Sequence, residues 1–252
     1  MVRKKRLIQA ASVAIFFVAW QIVGMNTDPI LFATPIAVVA AMVEIVINGD
    51  LPRALMHSLI LLLSGFLLSG GAGVALGVLM GRVSFIERLL TPYIFALYAS
   101  PMIALIPILM IWFGSGDRAK IAAVFLNSVF VVILNTMQGV KYTDKRLIEA
   151  AASFGISEMQ MFTKVVLPAA LPHVAAGLRL SAGKAVVGLI AAELFLTLSG
   201  LGGLLQRYGA SFHTPRLFAV IVAIALIGAA LITLTKWLEH WAAPWQKSMD
   251  RS

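Results

Sequence analysis

The chain has 252 residues, of which 60% are Ala, Val, Ile, Leu, Met, Phe, Trp, Tyr or Cys, twenty are Gly and only 12% are charged. A soluble domain carries roughly 45–50% apolar residues with Gly included and about 25% charged ones, so a soluble fold of this size is excluded and an integral membrane protein is expected. Zero cysteines exclude a disulfide framework, a Cys-ligated metal centre and thiol catalysis, and the net charge of +9, scattered between apolar runs, suits anionic lipid and not nucleic acid.

A helix needs about 20 apolar residues to cross roughly 30 Å of hydrocarbon. In chain order the stretches that qualify are about 7–24, 58–81, 92–113, 119–140, 174–195 and 216–238. The first follows Arg3-Lys4-Lys5-Arg6 but has no small-x-small cleavage site between Gln21 and Pro29, so it reads as a retained anchor. Residues 36–47 are too few to cross and include Glu44, which predicts an amphipathic or interfacial helix. In the second span Gly65, Ser69, Gly73, Gly77 and Gly81 recur every four residues, a ridge of small side chains on which helix backbones approach closely in lipid. In the third, Pro101 and Pro107 mark kinks or locally freed carbonyls.

Orientation follows from the basic residues flanking the spans. With the N-terminus inside, one side holds Arg3 to Arg6, Arg82, Arg88, Lys141, Lys145, Arg146, Lys164, Lys236, Lys247 and Arg251; the other holds Arg53, Arg118, Lys120, Arg207 and Arg216. Thirteen against five predicts six spans with both termini cytoplasmic.

Residues 141–173, between spans four and five, form a cytoplasmic segment too polar for lipid. Thr143 or Asp144 can cap a helix and Gly155 suits its left-handed C-terminal residue. Leu147, Ile148, Ala151 and Phe154 fall on one face of that helix. Ser157 with Gln160 makes a capping box for a second helix striped by Met159, Phe162, Val165 and Val166. Pro168 is expected to stop it, with Pro172 making a second break before span five.

Glu149-Ala150-Ala151, three residues, Gly155, nine residues, Val165, one residue and Leu167-Pro168 resembles the EAA signature of ABC importer permeases, EAA-x3-G-x9-I-x-LP, with Val for Ile as its one departure. Further likeness to the permeases for nitrate, sulfonate and taurine runs over about 31–243. It includes Pro101, Pro107, Trp112-Phe113-Gly114, Asn135-Thr136, Gly139, Gly177-Leu178-Arg179, Glu193 and Ser199-Gly200-Leu201-Gly202. The resemblance implies an all-α type I importer permease fold, one transmembrane permease domain over 1–252, in a bacterial plasma (inner) membrane. It implies a second permease copy as a homodimer, two cytoplasmic ATPase subunits that bind ATP and Mg, and an external or periplasmic solute-binding protein. This chain would hold no cofactor and catalyse nothing. Glu149 would face the ATPase, Ala150 and Ala151 would allow close packing, Gly155 would turn the chain, and Leu167-Pro168 would set the angle into span five. Sulfonates, taurine, nitrate, bicarbonate and a pyrimidine precursor remain open as solutes.

Other classes fit less well. Gly177-Leu-Arg-Leu-Ser-Ala-Gly183-Lys184-Ala185 is one residue too long for a phosphate loop and lacks its Ser or Thr. His57, His173, His213 and His240 are dispersed, and Ser211 lacks the closing Gly of a nucleophile elbow. An ion-coupled secondary transporter would use the membrane-depth charges Lys184 and Glu193. These are nine residues apart, about 180° around a helix, and cannot pair within it. They join Pro101, Pro107 and Asn135 as candidates for the solute path or its gating. Gly200-Leu201-Gly202-Gly203 reads as a tight turn, or by family analogy as an external gate element.

Overall fold

The computed structural model describes residues 2–196 and 198–242. Lys247 and Arg251 lie outside them, as do the side chains of Arg3 to Arg6 and His240. The described secondary structure is helical: α1 (Val2–Met25), α2 (Pro35–Ile47), α3 (Asp50–Arg82), α4 (Ser84–Ala99), α5 (Ile106–Phe113), α6 (Asp117–Lys141), α7 (Lys145–Ser153), α8 (Glu158–Met161), α9 (Leu167–Phe195), α10 (Gly200–Ala210) and α11 (Thr214–Ala242). Among the described residues five helical runs are long and apolar enough to cross a membrane, and counting a bent pair as one span gives six.

That bent pair is the third predicted span. It is not one helix: α4 and the run Met102–Phe113 meet at 95°. Ser100 is extended (φ −69°, ψ 141°), as a residue before proline must be, and Pro101 then offers no N–H to continue the ladder. A 3₁₀ turn, Met102–Leu105, leads into α5. Pro107 makes no kink, since it occupies the first turn of α5, where the missing donor has no partner to lose.

Two compact units share α3 and α11. The first comprises Met1–Ser58 and Thr197–Leu226. Its α2 is capped by Thr34 and buries Val38, Ala41 and Ile45 on one face, which accounts for its length and amphipathic pattern. Trp20, Phe32 and Phe218 cluster with tilted and edge-to-face rings, Thr214 donates to the Ile30 carbonyl, and Arg216 pairs with Glu44 at 2.7 Å. Gly200 to Gly203, expected as a tight turn, instead open a helix, Gly200–Ala210. Gly200 enters it at φ +66° and Gly203 lies so close to Leu198 that a Cβ there would sit 2.4 Å from the Leu198 carbonyl carbon. Leu201, Leu204 and Tyr208 then bury one face, with the Leu201 N–H donating to Ser58 Oγ at 2.9 Å.

The second unit comprises Leu59–Leu196 and Ile227–Ser252. Its centre is the antiparallel seam of α6 and α9. A Cβ at Gly139 would meet His173 Cβ at 2.6 Å, one at Gly177 would meet Asn135 Cβ at 2.8 Å, and one at Gly188 would meet Asn127 Cβ at 2.8 Å. Only glycine permits that approach. The α3 ridge packs on another side of α6: Cβ atoms built on Gly65, Gly73, Gly77 and Gly81 would stand 2.6–2.7 Å from the Cβ atoms of Val124, Val132, Thr136 and Val140. Ser69, between them, is buried and donates to the Phe66 carbonyl.

Candidate functional site

The segment between α6 and α9 is built from local capping. Thr143 is buried and donates to the Gly139 and Val140 carbonyls, closing α6. Asp144 starts α7, accepting from the Arg146 N–H at 2.9 Å and pairing with its guanidinium at 2.9 Å. Those bonds from Arg146 hold the Asp144 carboxyl below the usual carboxylate range. The helix ends at Phe154, and Gly155 turns left-handed at φ +68° with no atom within 4 Å of where a Cβ would lie. Backbone conformation, not crowding, therefore selects glycine there. Ser157 and Gln160 complete both halves of the capping box at 3.3 and 3.1 Å.

The faces of this elbow differ from the pattern expected of it. Ile148 and Ala151 turn half inward, but Leu147 is 50% exposed, Phe154 84% and Met159 57%. Glu149 and Ala150 are exposed beside them. A nine-residue helix has too narrow a stripe to bury all four apolar residues on one short neighbour, so its outer side carries an apolar surface edged by a carboxylate.

Downstream, neither proline breaks the chain. Helix runs without interruption over Glu158–Phe195, 38 residues or about 57 Å. A π-helical turn over Phe162–Val166 widens the ladder just before Pro168, which then occupies the first turn of α9, and Pro172 follows within that helix. The Arg82 guanidinium at the end of α3 lies 4.5 Å from the Phe162 ring centroid and ties the π-turn to the bundle. Leu167 and Pro168 are half-buried there.

The remaining candidates separate. Asn135 donates to the Val131 carbonyl of its own helix at 2.8 Å and packs against Gly177. Glu193 is fully buried, in the stretch where Ala192 and Leu196 of α9 pack with Ala119 and Ala123 of α6. Lys184 points the other way, exposed, with its Nζ 4.8 Å from the Tyr98 ring centroid. A lysine at bilayer depth costs about 2.5–3.5 kcal/mol even by the more lenient scales. The stretch Gly177 to Ala185 that approximates a phosphate loop is continuous helix, so its N–H groups bond within α9 and cannot cradle a phosphate. In the first unit, a cavity of about 330 Å³ is lined by Asp50, Arg53, His57, Ser199 and Arg207. Burial and the Asp50 carboxylate raise the Tyr208 phenol, which donates to Asp50 at 3.2 Å. The sequence reading missed Tyr98 and this arginine pair, since neither carries a local pattern.

Residues 73–248 match the family of binding-protein-dependent transport system inner membrane components. The chain belongs to that family. The permease is 32% identical to SsuC of Bacillus subtilis (strain 168), named for aliphatic sulfonates transport, over 94% of this chain and 87% of that one. It is 31% identical to the formylaminopyrimidine transport permease protein ThiX of Halalkalibacterium halodurans, over 96% of this chain and 99% of that one. The taurine transport system permease protein TauC of Escherichia coli (strain K12) is 34% identical over 69% of this chain and 63% of its own length. An inward-facing structure of the MetNI methionine ABC transporter shares the fold, with TM-score 0.62 and 17% identity, covering 76% of this permease and 95% of that chain. The permease is thus a multi-pass inner-membrane subunit of an ABC importer, and its relatives are transport subunits.

Proposed function

We propose that the permease, acting as one domain over 1–252, moves a small solute of the sulfonate, taurine or pyrimidine-precursor type inward through ATP-driven alternating access. It pairs with a second copy of itself. Two cytoplasmic ATPase subunits bind ATP and Mg, an external binding protein delivers solute, and both termini face the cytoplasm. The surface of α7 carries this reading: Glu149 and Ala150 lie exposed next to Leu147 and Phe154, on a short polar segment outside the spans. Soluble apolar surface rimmed by charge is the signature of a protein contact. Here the contact is the ATPase, against which Ala150 and Ala151 allow a close fit and Glu149 supplies a directed charge.

The path of force follows from the covalent geometry. The Gly155 turn joins α7 to α8, and from Glu158 onward an unbroken helix leads into the membrane. Displacing the elbow therefore tilts α9 as a rod, with Leu167-Pro168 and the Arg82–Phe162 contact acting as its pivot. The nucleotide supplies the differential stabilisation of inward- and outward-facing states that such a switch needs. The opposite disposition of Lys184 and Glu193 gives no relay between them for an ion-coupled cycle.

Right-side-out vesicles loaded with ATP, from cells carrying the chain with a cognate ATPase and binding protein, test the class. Uptake is expected to require ATP and to survive a protonophore. Uptake that persists without ATP and collapses with the proton gradient overturns the reading in favour of ion coupling.

A further inference from the structure

The deepest charge in α9 has no role in the elbow mechanism. Lys184 stands ten residues from 174 and eleven from 195, about 15 Å from either end of the span and so at its middle. It lies on an exposed stripe between Leu180 and Val187. A lysine facing lipid at that depth reaches along the helix toward a membrane surface. This one reaches sideways instead, to Tyr98.

Tyr98 sits in the last turn of α4, two residues before the Ser100-Pro101 break where the chain bends by 95°. Irregular backbone at membrane depth survives where it is buried in protein or borders water. The flanking residues Leu97, Ile103 and Ala104 are exposed, so this break is not sealed by the chain's own packing. Beside the lysine, a Cβ added to Gly183 would meet nothing within 4 Å. The charge and the interrupted helix are thus joined by one contact on the exposed side of this unit. Among the described residues no carboxylate pairs with Lys184, whose ammonium rests on a π face.

We propose that Lys184 is the point in the passage that takes the anionic headgroup of the solute, a sulfonate or another small oxyanion, and that the Tyr98 ring holds the ammonium in place between transport events. The phenol adds an O–H donor to the same oxyanion. This assignment rests on the permease reading and deepens it. The relatives named for aliphatic sulfonates and for a formylaminopyrimidine leave the solute open, and Lys184 favours the anion.

The chain has no cysteine, which permits a direct test on the whole assembly of permease, ATPase and binding protein in proteoliposomes, with labelled ethanesulfonate as the probe. Lys184→Cys is expected to lower ATP-dependent uptake by about tenfold or more. Treating that variant with 2-aminoethyl methanethiosulfonate restores an ammonium at the position and should bring uptake back to within about threefold of the parent. The sulfonatoethyl reagent, which installs the opposite charge, should modify the thiol and restore nothing. A lysine needed only for its contact with Tyr98 would show the charge preference in the stability of the assembly as well, which here should be the same with either reagent. The proposal is overturned if the thiol is unreactive to both, which places it against lipid or a second copy, or if both reagents restore uptake equally. It is also overturned if Lys184→Met transports normally, or if the parent assembly carries only an uncharged pyrimidine. A parent assembly that shows no ATP-dependent uptake of any of these probes overturns the permease reading itself, and this inference with it.

Discussion

Gly155 is held at φ +68° with empty space around the missing Cβ. An alanine there is strained by roughly 1–2 kcal/mol and asparagine by less, because Asn tolerates the left-handed region. The order Gly, Asn, Ala, Val should therefore describe the fall in solute moved per ATP hydrolysed, with Val lowest. An ordering by side-chain volume alone, with Asn below Ala, would contradict the backbone argument. Asp144 makes a second prediction. Its carboxyl is lowered in the fold from an ordinary value of 3.8, so the cap it provides is present above that value and is lost only as pH falls through the lowered one. Taking the assembly from about pH 8 to about pH 5 should leave α7 capped and coupling through Asp144 unchanged, measured as the ratio of uptake to hydrolysis. Both residues are legible in the sequence because caps and left-handed glycines are local. The choice between Thr143 and Asp144 was not, since it turns on the burial of Thr143 against α6.

The elements show the same division between local and tertiary information. The small-residue ridge of α3 is a sequence period, and its partner α6 is visible only in the fold. Gly77→Ala should destabilise the protein by about 1–3 kcal/mol, because the added methyl would stand 2.6 Å from Thr136 Cβ and overpack the contact. Gly71→Ala, in open space on the same helix, is the control and should leave the detergent melting temperature unchanged or slightly higher. Equal losses in the two variants would contradict the packing account. The prolines were harder to read. Pro101 breaks a span, Pro107 begins a helix, and Pro168 and Pro172 sit within a continuous rod because a π-turn absorbs the first of them. Sequence supplies the missing N–H in each case, while the neighbouring backbone decides whether a hydrogen bond is lost. Helix α10 was hidden by its glycines, although the spacing of Leu201, Leu204 and Tyr208 carried its buried face.

For the whole molecule, six crossings were countable from apolar length alone, and the exposed elbow gives that count a use. Composition identified the membrane and the Glu149-Ala150-Ala151 signature identified the family. What the sequence could not convey is that helix runs unbroken from Glu158 to Phe195, through both prolines and into the fifth span. Phe154→Asp should leave the permease folded and inserted, because Phe154 contributes almost nothing to its own core. It should nonetheless weaken copurification of the ATPase by about tenfold or more, in keeping with a central aromatic anchor at an interface. The most direct measurement of the central claim is a crosslink. With no native cysteine in the chain, Ala150→Cys can be probed in intact membranes with a bifunctional thiol reagent against single cysteines placed along the ATPase surface. The account predicts an efficient crosslink to one groove of the ATPase from the cytoplasmic side, retained through the ATP cycle. A thiol at that position that is labelled only from outside the membrane, or that crosslinks to no ATPase site while the complex is hydrolysing ATP, contradicts it.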